Sequence, residues 1–325
     1  MRGFSPDHAS HEPVTTTPID PRTLIASRVF DQADAWRAGF ARAVPFGHCV
    51  IDDFLVPAFA HALLDAFPAF ERGNSTNEDG APANKSVVER IRALGGAFGQ
   101  LDACVQSEGF LELVGRLTGI PDLLYDVDYF GGGTHENRDG QELDNHIDFN
   151  LHPTTGWHRR LNLIVYLNPA WEEAWGGALE LHRDPYDPRT DEVVTITPAF
   201  NRCVIFETTE HSWHGFPRIA LPDDYRHLSR KSIALYFYTR ERPAAQVASK
   251  HSTVYVDRAL PAHLRPGRVL TERDVAELRE LLARRDSHNR RLYNEIRVLQ
   301  AHLDESFASR IFNAMRRIIG RLRTR

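Results

Sequence analysis

The chain has 325 residues, and its composition, with 42% hydrophobic and 26% charged side chains, is that of a folded globular protein. The cysteines Cys49, Cys104 and Cys203 are far apart and odd in number. They argue against a disulfide framework and a thiolate zinc site, and they favour a reducing, cytoplasmic compartment. The net charge of −5 includes six arginines and no acid in residues 306–325, so the rest of the chain is distinctly acidic. We therefore expect no nucleic-acid partner, and the sequence has no run of about 18 apolar residues that would predict a membrane span.

The first part of the chain is predicted to be a leader followed by helices. Residues 1–22 contain no apolar signal-peptide core and are expected to form a disordered leader. In PAFAHALLDAFPAF (57–70), apolar side chains recur at helical spacing. A second helical stretch runs from 87 to 117, with a break near Gly95 and Gly96. These patterns predict an N-terminal helical support over residues 23–122.

From residue 123 the hydrophobic period changes to that of short strands. Six runs are β-branched or aromatic, are bounded by Gly, Pro or Asn, and have no helical spacers between them. They are residues 123–130, 161–168, 178–182, 192–197, 202–206 and 231–238. Such a series favours an antiparallel sandwich or barrel, and we place this core domain at residues 123–245.

After a connecting segment at 246–268, residues 269–325 are predicted to form a helical tail. Most heptad a and d positions are apolar, and the two exceptions are Asn289 at an a position and Arg285 at a d position. The apolar positions are Val275, Leu278, Leu282, Leu292, Ile296, Leu299 and Leu303. This face fits self-association or a helix that folds back on the domain. Residues 306–325 add a basic amphipathic face, which fits peripheral contact with an anionic membrane or docking on a partner.

The stretch QELDNHIDFN (141–150) places His146 and Asp148 two positions apart. In a strand, residues i and i+2 point to the same face, so the imidazole and the carboxylate can converge on one point. The pair alone is weak evidence, because one of sixteen histidines will often lie two residues from an acid. Downstream, a strand at 202–206 leads into a predicted turn that carries His211 and His214. Two histidines and one carboxylate form a facial triad typical of non-haem Fe(II), with zinc as the alternative metal.

A cation opens the predicted strand in SRKSIALYFYT (229–239). Arg230 and Ser232 alternate onto one face, where a guanidinium and a hydroxyl can together hold a carboxylate. The alternative is that Arg230 and Lys231 form a solvated strand edge.

Four blocks in the same order resemble the Fe(II)/2-oxoglutarate-dependent dioxygenases, and among them the prolyl 4-hydroxylase-like group. YFGGGTHENRDGQELDNHIDFN resembles that group's Tyr-x-Gly-x-Gly run, which leads into the H-x-D strand. RRLNLIVYLNPAWEEAWGGALEL resembles its YLN…W…GG.L segment and is the most specific match, while SWHGF and RKSIALYFY resemble its distal-histidine and arginine elements. The resemblance covers about residues 120–240. It implies a mainly β, α+β fold: a double-stranded β-helix, or jelly roll, with N-terminal supporting helices and a C-terminal helical extension.

Carried over by position, the resemblance implies that His146, Asp148 and His214 bind Fe(II). His211 is the alternative to His214, which we prefer because SWHGF is the element that matches. The related halogenases lack the metal-binding acid, so the presence of Asp148 favours hydroxylation over halogenation.

The resemblance also implies 2-oxoglutarate as cosubstrate, with Arg230 on its distal carboxylate and Tyr129 and Tyr166 as hydrogen-bond partners. Lys231 is the alternative to Arg230, because the gap from His214 to Arg230 is longer than is usual in the family. Ascorbate is a further expected cofactor, since it would keep the iron reduced.

The activity implied is a dioxygenase that hydroxylates an unactivated C–H bond and releases succinate and CO2. Peptidyl proline is the substrate that the resemblance suggests. A free amino acid, a glycan or a small metabolite stays open, because substrate-selecting loops carry no readable pattern. The competing hypothesis is a non-catalytic, cupin-like module that binds a metal together with a carboxylate or a sugar.

Overall fold

The computed structural model describes residues 19–76, 82–257, 260–261 and 263–305. The chain divides into two compact units, one formed by Met1–Ser75 with Asn84–Val256 and the other by Thr76–Ala83 with Asp257–Arg325. Most of the predicted leader lies outside the described residues. So do residues 306–325, for which the sequence predicts the basic amphipathic face.

Antiparallel strands form two sheets. In chain order the described strands are β1 (His48–Ile51), β2 (Asn74–Thr76), β3 (Pro82–Val88), β4 (Leu124–Tyr125), β5 (Gly133–Asn137), β6 (Leu143–Ile147), β7 (His158–Tyr166), β8 (Leu179–His182), β9 (Val193–Ile196), β10 (Arg202–Glu207), β11 (Trp213–Phe216), β12 (Arg230–Thr239) and β13 (Val254–Tyr255). The larger sheet has the order β1-β10-β7-β12-β5-β3-β2, and β4 also pairs with β12. The smaller sheet has the order β13-β6-β11-β8-β9.

The chain passes between the two sheets at nearly every connection from β5 to β12. β5, β7, β10 and β12 belong to the larger sheet, whereas β6, β8, β9 and β11 belong to the smaller one. Only the hairpin from β8 to β9 stays within one sheet in this stretch. This alternation is the connectivity of a jelly roll, so the predicted fold class is confirmed.

Five short helices share a core with one face of the larger sheet. They are α1 (Ser27–Asp31), α2 (Ala33–Phe40), α3 (Pro57–Asp65), α4 (Gly96–Val105) and α5 (Glu108–Thr118). The hydroxyl of Ser107 caps α5 by accepting the Phe110 N–H at 3.3 Å, and Gly119 ends it in the left-handed conformation with φ 77°. The apolar face of α5, including Phe110 and Leu117, then joins the main core. The predicted helical support therefore has a physical basis in burial.

Successive side chains of β7 and β12 point to opposite faces of the larger sheet. One face packs in the apolar core, and the other faces a polar interior. Leu161 and Leu163 of β7 pack into the main core with the helices. The alternate residues of β7, such as Asn162 and Tyr166, point to the other face. Tyr166 there packs against Leu181 of the smaller sheet. Polar side chains of the larger sheet consequently line the space between the sheets.

Several elements differ from the sequence-based prediction. Residues 23–122 also contribute β1 and β3 to the larger sheet, and the connecting segment contains β13. Of the run 123–130, only Leu124–Tyr125 is a strand. His214 lies on strand β11 rather than in a turn. β1 and β13 are only four and two residues long, too short for a pattern of alternating hydrophobic residues to identify them in the sequence. Each forms a strand because it pairs with a neighbouring strand.

The second unit contains α6 (Glu272–Glu305). Its start is a reciprocal cap: the Thr271 N–H donates to Asp274 Oδ2 at 2.8 Å, and the Asp274 N–H donates to Thr271 Oγ1 at 3.2 Å. The predicted helical tail is thus confirmed as far as residue 305. None of the helices in the described part of the chain combines the length and apolar character needed to cross a bilayer.

Candidate metal centre and anion pocket

Three side chains from neighbouring strands meet between the sheets. His146 on β6 lies opposite His214 on β11, and their ring centroids are 4.3 Å apart. Asp148 follows the end of β6, with Oδ1 3.8 Å from Nε2 of His146 and Oδ2 3.5 Å from Nε2 of His214. These ligand atoms all lie within 4.8 Å of one another, which a single ion with bonds of about 2.0–2.2 Å could close by small movements. The structure therefore brings together the three residues predicted to bind iron.

Hydrogen bonds at the opposite nitrogen orient both imidazoles as metal ligands. Nδ1 of His146 lies 2.8 Å from the carbonyl oxygen of Asp144, and Nδ1 of His214 lies 2.9 Å from that of Ser212. Because a carbonyl only accepts, each Nδ1 holds the proton and each Nε2 presents its lone pair to the cluster. Burial, and then the neighbouring His214, lowers the pKa of His146 to about 3, and burial also lowers the pKa of His214. Both rings are therefore neutral near pH 7, the form that binds a metal.

Two donors hold the Asp148 carboxylate. Asn162 Nδ2 donates to Oδ2 at 2.8 Å, and Arg159 Nη2 lies 3.0 Å from the same oxygen. Burial alone would raise the pKa of Asp148, but the charge of Arg159 opposes it, and the pKa lies below its usual range. Since both donors take Oδ2, Oδ1 is left open toward a metal. Two neutral imidazoles and one ionised carboxylate are a donor set that fits Fe(II).

Arg159→Met is expected to weaken Fe(II) binding by about 10–100-fold, because outer partners of metal ligands contribute on that scale. The variant removes the ion pair with Asp148 and leaves the carboxylate to Asn162. Arg160→Met is the matched control: Arg160 is also buried but points to the other face of β7, where it contacts Glu207 at 3.3 Å. Anaerobic calorimetry measures the affinities, and thermal unfolding checks that both variants fold. Equal affinities in the two variants would contradict this role for Arg159.

The guanidinium of Arg230 is buried on β12, with the residue only 5% exposed. Its Nε donates to the Gly177 carbonyl at 2.7 Å and its Nη2 donates to the Tyr166 hydroxyl at 3.1 Å. Within the described ranges, no carboxylate forms an ion pair with it. A buried cation that lacks an acid costs free energy, and burial lowers the pKa of Arg230 accordingly. The surroundings of the Arg230 guanidinium, formed by the Tyr166 hydroxyl and the Gly177 carbonyl, therefore suit an anion electrostatically, and we call them the anion pocket.

The anion pocket lies close to the metal cluster. The guanidinium carbon of Arg230 lies 4.3 Å from the centroid of the Phe216 ring. Phe216 is two residues beyond His214 on β11, which is roughly 7 Å along a strand. A five-carbon dicarboxylate is long enough to join a metal at His214 to a guanidinium at Phe216.

The pair Gly176–Gly177 explains why a Gly-Gly signature accompanies this pocket. Both residues have φ of 69°, and a Cβ on Gly176 would lie 2.0 Å from the Arg218 carbonyl oxygen. A Cβ on Gly177 would lie 2.9 Å from Cγ1 of Ile219 and 3.3 Å from Cδ of Arg230. Only glycine lets the chain pass this closely while the Gly177 carbonyl accepts the Arg230 bond.

The alternatives to two of the predicted residues lie elsewhere. Lys231 points to the opposite face of β12 from Arg230, and its Nζ lies 3.3 Å from Glu136. His211 is exposed and does not belong to the cluster that contains His214. The geometry thus favours Arg230 and His214 for the two roles.

The two predicted tyrosines are separated by the structure. Tyr166 lies in the anion pocket, where it accepts from Arg230 and keeps its own proton to donate. Tyr129 instead packs in the main core, and its hydroxyl donates to Asp102 Oδ1 at 2.8 Å. The ligand role predicted for Tyr129 is therefore not supported, because its hydroxyl is engaged with helix α4.

Three residues of the site lie in the sequence motifs quoted above but had no predicted role: Arg159, Asn162 and Tyr236. Arg159 lies with its guanidinium carbon 3.6 Å from the centroid of the Tyr236 ring, which fixes it beside Asp148. The Tyr236 hydroxyl donates to the Gly131 carbonyl at 3.0 Å. A signal for Asn162 was available, because Asn162 and Tyr166 are an even number of residues apart on one strand and share a face.

A family model described as the 2OG-Fe(II) oxygenase superfamily matches residues 132–238. Tyr129 lies outside this segment. The segment contains His146, Asp148, Tyr166, His214 and Arg230.

A curated relative is the prolyl 3-hydroxylase OGFOD1 of Mus musculus, which is 31% identical over 81 residues. The matched part is 25% of this chain and spans only 14% of the length of that relative. Among solved structures, one similar chain is a prolyl hydroxylase of Trichoplax adhaerens in complex with a hypoxia inducible factor peptide fragment. It has 19% identity and a TM-score of 0.45, and the match covers 65% of this chain and 93% of that chain. Another is HygX of Streptomyces hygroscopicus with nickel and 2-oxoglutarate bound, with 13% identity, coverage of 66% and 92%, and a TM-score of 0.41.

Proposed function

We propose that this chain, whose residues 132–238 are a domain of the 2OG-Fe(II) oxygenase superfamily, is an Fe(II)- and 2-oxoglutarate-dependent dioxygenase that hydroxylates an unactivated C–H bond. The family match confirms the resemblance found in the sequence. The observation that carries the proposal is the buried guanidinium of Arg230, without an acid partner in the described residues, beside a cluster of two histidines and an aspartate. A metal site alone fits many kinds of protein. A metal site next to a cationic pocket fits a cosubstrate that chelates a metal at one end and carries a carboxylate at the other.

When bound, Fe(II) and 2-oxoglutarate supply the oxidising power: O2 is consumed, the cosubstrate becomes succinate and CO2, and one oxygen atom enters the substrate C–H bond. The chain's own part is to hold and orient. His146, Asp148 and His214 would occupy one side of the metal and leave its other positions open. Arg230 and Tyr166 would hold the distal carboxylate by charge and hydrogen bond.

We place the catalytic core at residues 123–245 and the support at residues 23–122. The shared core of the helices and the larger sheet supports this division, because it stiffens β7 and β12, the strands that carry Tyr166 and Arg230. The two strands pair along most of their length. A rigid base of this kind is what a positioned site requires.

A prolyl residue in a peptide is the substrate we propose. The similarity to a prolyl 3-hydroxylase supports it, and so does an aromatic surface beside the metal ligands. Phe149 follows Asp148 directly, and its ring packs edge-on against Phe130 at 5.3 Å, with Phe130 44% exposed. Proline-containing segments bind well to exposed aromatic rings.

An anaerobic visible spectrum tests the cofactor chemistry. Adding Fe(II) and then 2-oxoglutarate to the metal-free protein should produce a weak metal-to-ligand charge-transfer band, because both cosubstrate chelation and the protein ligands are needed for it. The band should be absent in His146→Ala, which removes a ligand, and present at unchanged intensity in His211→Ala. Absence of the band in the wild-type protein would leave the cupin-like binding module as the better description.

The substrate is then tested by succinate release in air. A peptide that contains proline should increase succinate formation above the uncoupled rate, and the same peptide with alanine at that position should not. Equal rates with both peptides would reject proline as the substrate while leaving the cofactor chemistry intact.

A further inference from the structure

α6 carries large apolar side chains that are exposed. Leu282, Leu292, Ile296 and Leu299 are between 46% and 61% exposed, and all four occupy heptad a or d positions. The helix has 34 residues, so it is about 51 Å long and holds nearly five heptads. Three to four heptads already suffice for a coiled coil. The exposed seam therefore has the length and the period of a coiled-coil interface.

One of the two polar seam positions, Arg285, discriminates between the possible orientations of two helices. In a parallel pair each layer faces its own copy, so Arg285 at d would face Arg285 of the second copy in the hydrophobic seam. Two like charges in a poorly hydrated layer repel strongly. In an antiparallel pair an a position faces a d position, so Arg285 can face a different residue. A parallel pair is therefore disfavoured by this single position.

One antiparallel register matches the layers from Val275 to Leu299. When Arg285 is placed opposite Asn289 of the second copy, each apolar layer within that span meets an apolar layer, and Leu303 lies beyond the span, at the level of Thr271. These pairs are Leu282 with Leu292, Leu278 with Ile296 and Val275 with Leu299.

The same register brings opposite charges together at the centre of the pair. Asp286, at the e position next to Arg285, borders the polar layers and lies near Arg285 of the second copy. The symmetry of the pair repeats this contact, so two cations and two carboxylates surround the axis. The amide of Asn289 can accept a hydrogen bond from the facing guanidinium. The charges that oppose a parallel pair thus favour the antiparallel one.

We propose that α6 binds a second copy of this chain as an antiparallel two-stranded coiled coil, with Arg285 opposite Asn289 and the symmetry axis near Ser287. The partner is the same chain because one heptad seam complements itself in both its apolar and its polar layers. Dimerisation through α6 does not depend on oxygenase activity.

The mass of the full-length protein in solution tests the association. Sedimentation equilibrium should give twice the chain mass of 36.9 kDa. Leu292→Glu places an unpaired charge in two symmetric layers, and we expect it to raise the dimer dissociation constant by about 100-fold or more. Val298→Glu is the matched control, since Val298 is 51% exposed on α6 but lies outside the seam, and it should leave the mass unchanged. Glutamate is a good helix former, so circular dichroism should show the same helix content in both variants.

Spin labels test the orientation. Ala276 and Arg290 are exposed and both occupy b positions of α6. In the proposed register, labels at residue 276 of the two copies lie about 33 Å apart along the axis and labels at residue 290 about 9 Å apart, because a helix rises 1.5 Å per residue. A parallel pair would give the same short distance at both sites. The native cysteines are buried, which keeps the labelling of the introduced cysteines selective.

A monomeric wild-type protein would overturn the proposal, as would a dimer whose mass is insensitive to Leu292→Glu. Equal distances from the two label sites would overturn the antiparallel register. A long distance at 276 with a short one at 290, in a dimer that Leu292→Glu dissociates, would establish it.

Discussion

Arg230→Gln is expected to raise the dissociation constant of 2-oxoglutarate by about 100-fold or more, while Lys231→Gln changes it by less than about twofold. The first substitution removes the buried positive charge of Arg230, and losing one partner of a buried ion pair typically costs about 3–5 kcal/mol. The second removes an adjacent positive charge on the opposite face of β12, where Lys231 pairs with Glu136. The two variants have the same change in net charge, so a long-range electrostatic effect would affect both alike.

The measurement is anaerobic titration of the Fe(II) protein with 2-oxoglutarate, read by calorimetry. Glutamine is shorter than arginine but places an amide nitrogen near the position of the Arg230 Nε, so it can still donate to the Gly177 carbonyl, which limits damage to the fold. Thermal unfolding of both variants checks this point. If Lys231→Gln weakens binding as much as Arg230→Gln does, the anion pocket is not where we place it.

His214→Ala is expected to lower Fe(II) affinity by more than about 100-fold, and His211→Ala to leave it unchanged. His214 is one of three groups whose ligand atoms converge, and its loss leaves His146 and Asp148, too few protein ligands for a facial site. His211 lies three residues earlier, is exposed and contributes no atom to the cluster.

Metal binding should be measured with Fe(II) under nitrogen and repeated with Mn(II), which does not oxidise readily. The metal-free His214→Ala protein should keep its far-ultraviolet circular dichroism, since removing an imidazole from a polar cluster does not open the main core. Retained affinity in His214→Ala, or its loss in His211→Ala, would contradict the assignment of the third ligand.

Strand period and motif order agree on the three proposed ligands and on Arg230, which is why the sequence could single them out. His146 and Asp148 are two residues apart in an extended segment, and Arg230 opens a strand whose alternate residues face inward, so local geometry decides both. The direction of the Tyr129 side chain could not be predicted, because Tyr129 precedes β5 with a φ of 54°, a turn conformation in which strand alternation says nothing about direction. Its partner Asp102 is far away in sequence, so the contact is invisible to a local pattern.

The supporting residues of the site and the short strands depend on tertiary structure in the same way. In the sequence, Arg159 is one of two adjacent charged residues at the start of a predicted strand. Only the fold shows that Arg159 contacts Asp148, whereas Arg160 points to the opposite face of β7 and contacts Glu207. β1 becomes a strand by pairing with β10, which is distant in sequence. By contrast, α6 was predictable over its described length, since a heptad pattern and a cap at Thr271 are both local.

The two-residue strand β13 has a consequence for His146, the first of the proposed metal ligands. Val254 pairs with Ile147 and Tyr255 pairs with His146, and the Tyr255 ring lies 5.3 Å from the His146 ring. β6 is therefore hydrogen-bonded on both sides, by β11 and by β13, instead of forming an open margin of the smaller sheet. An unpaired edge strand would fray, and strands of other molecules could pair with it. A fragment in which β6 keeps both of its neighbouring strands must accordingly extend past β12 to Val256. This end point lies eleven residues beyond the core boundary that we place at residue 245.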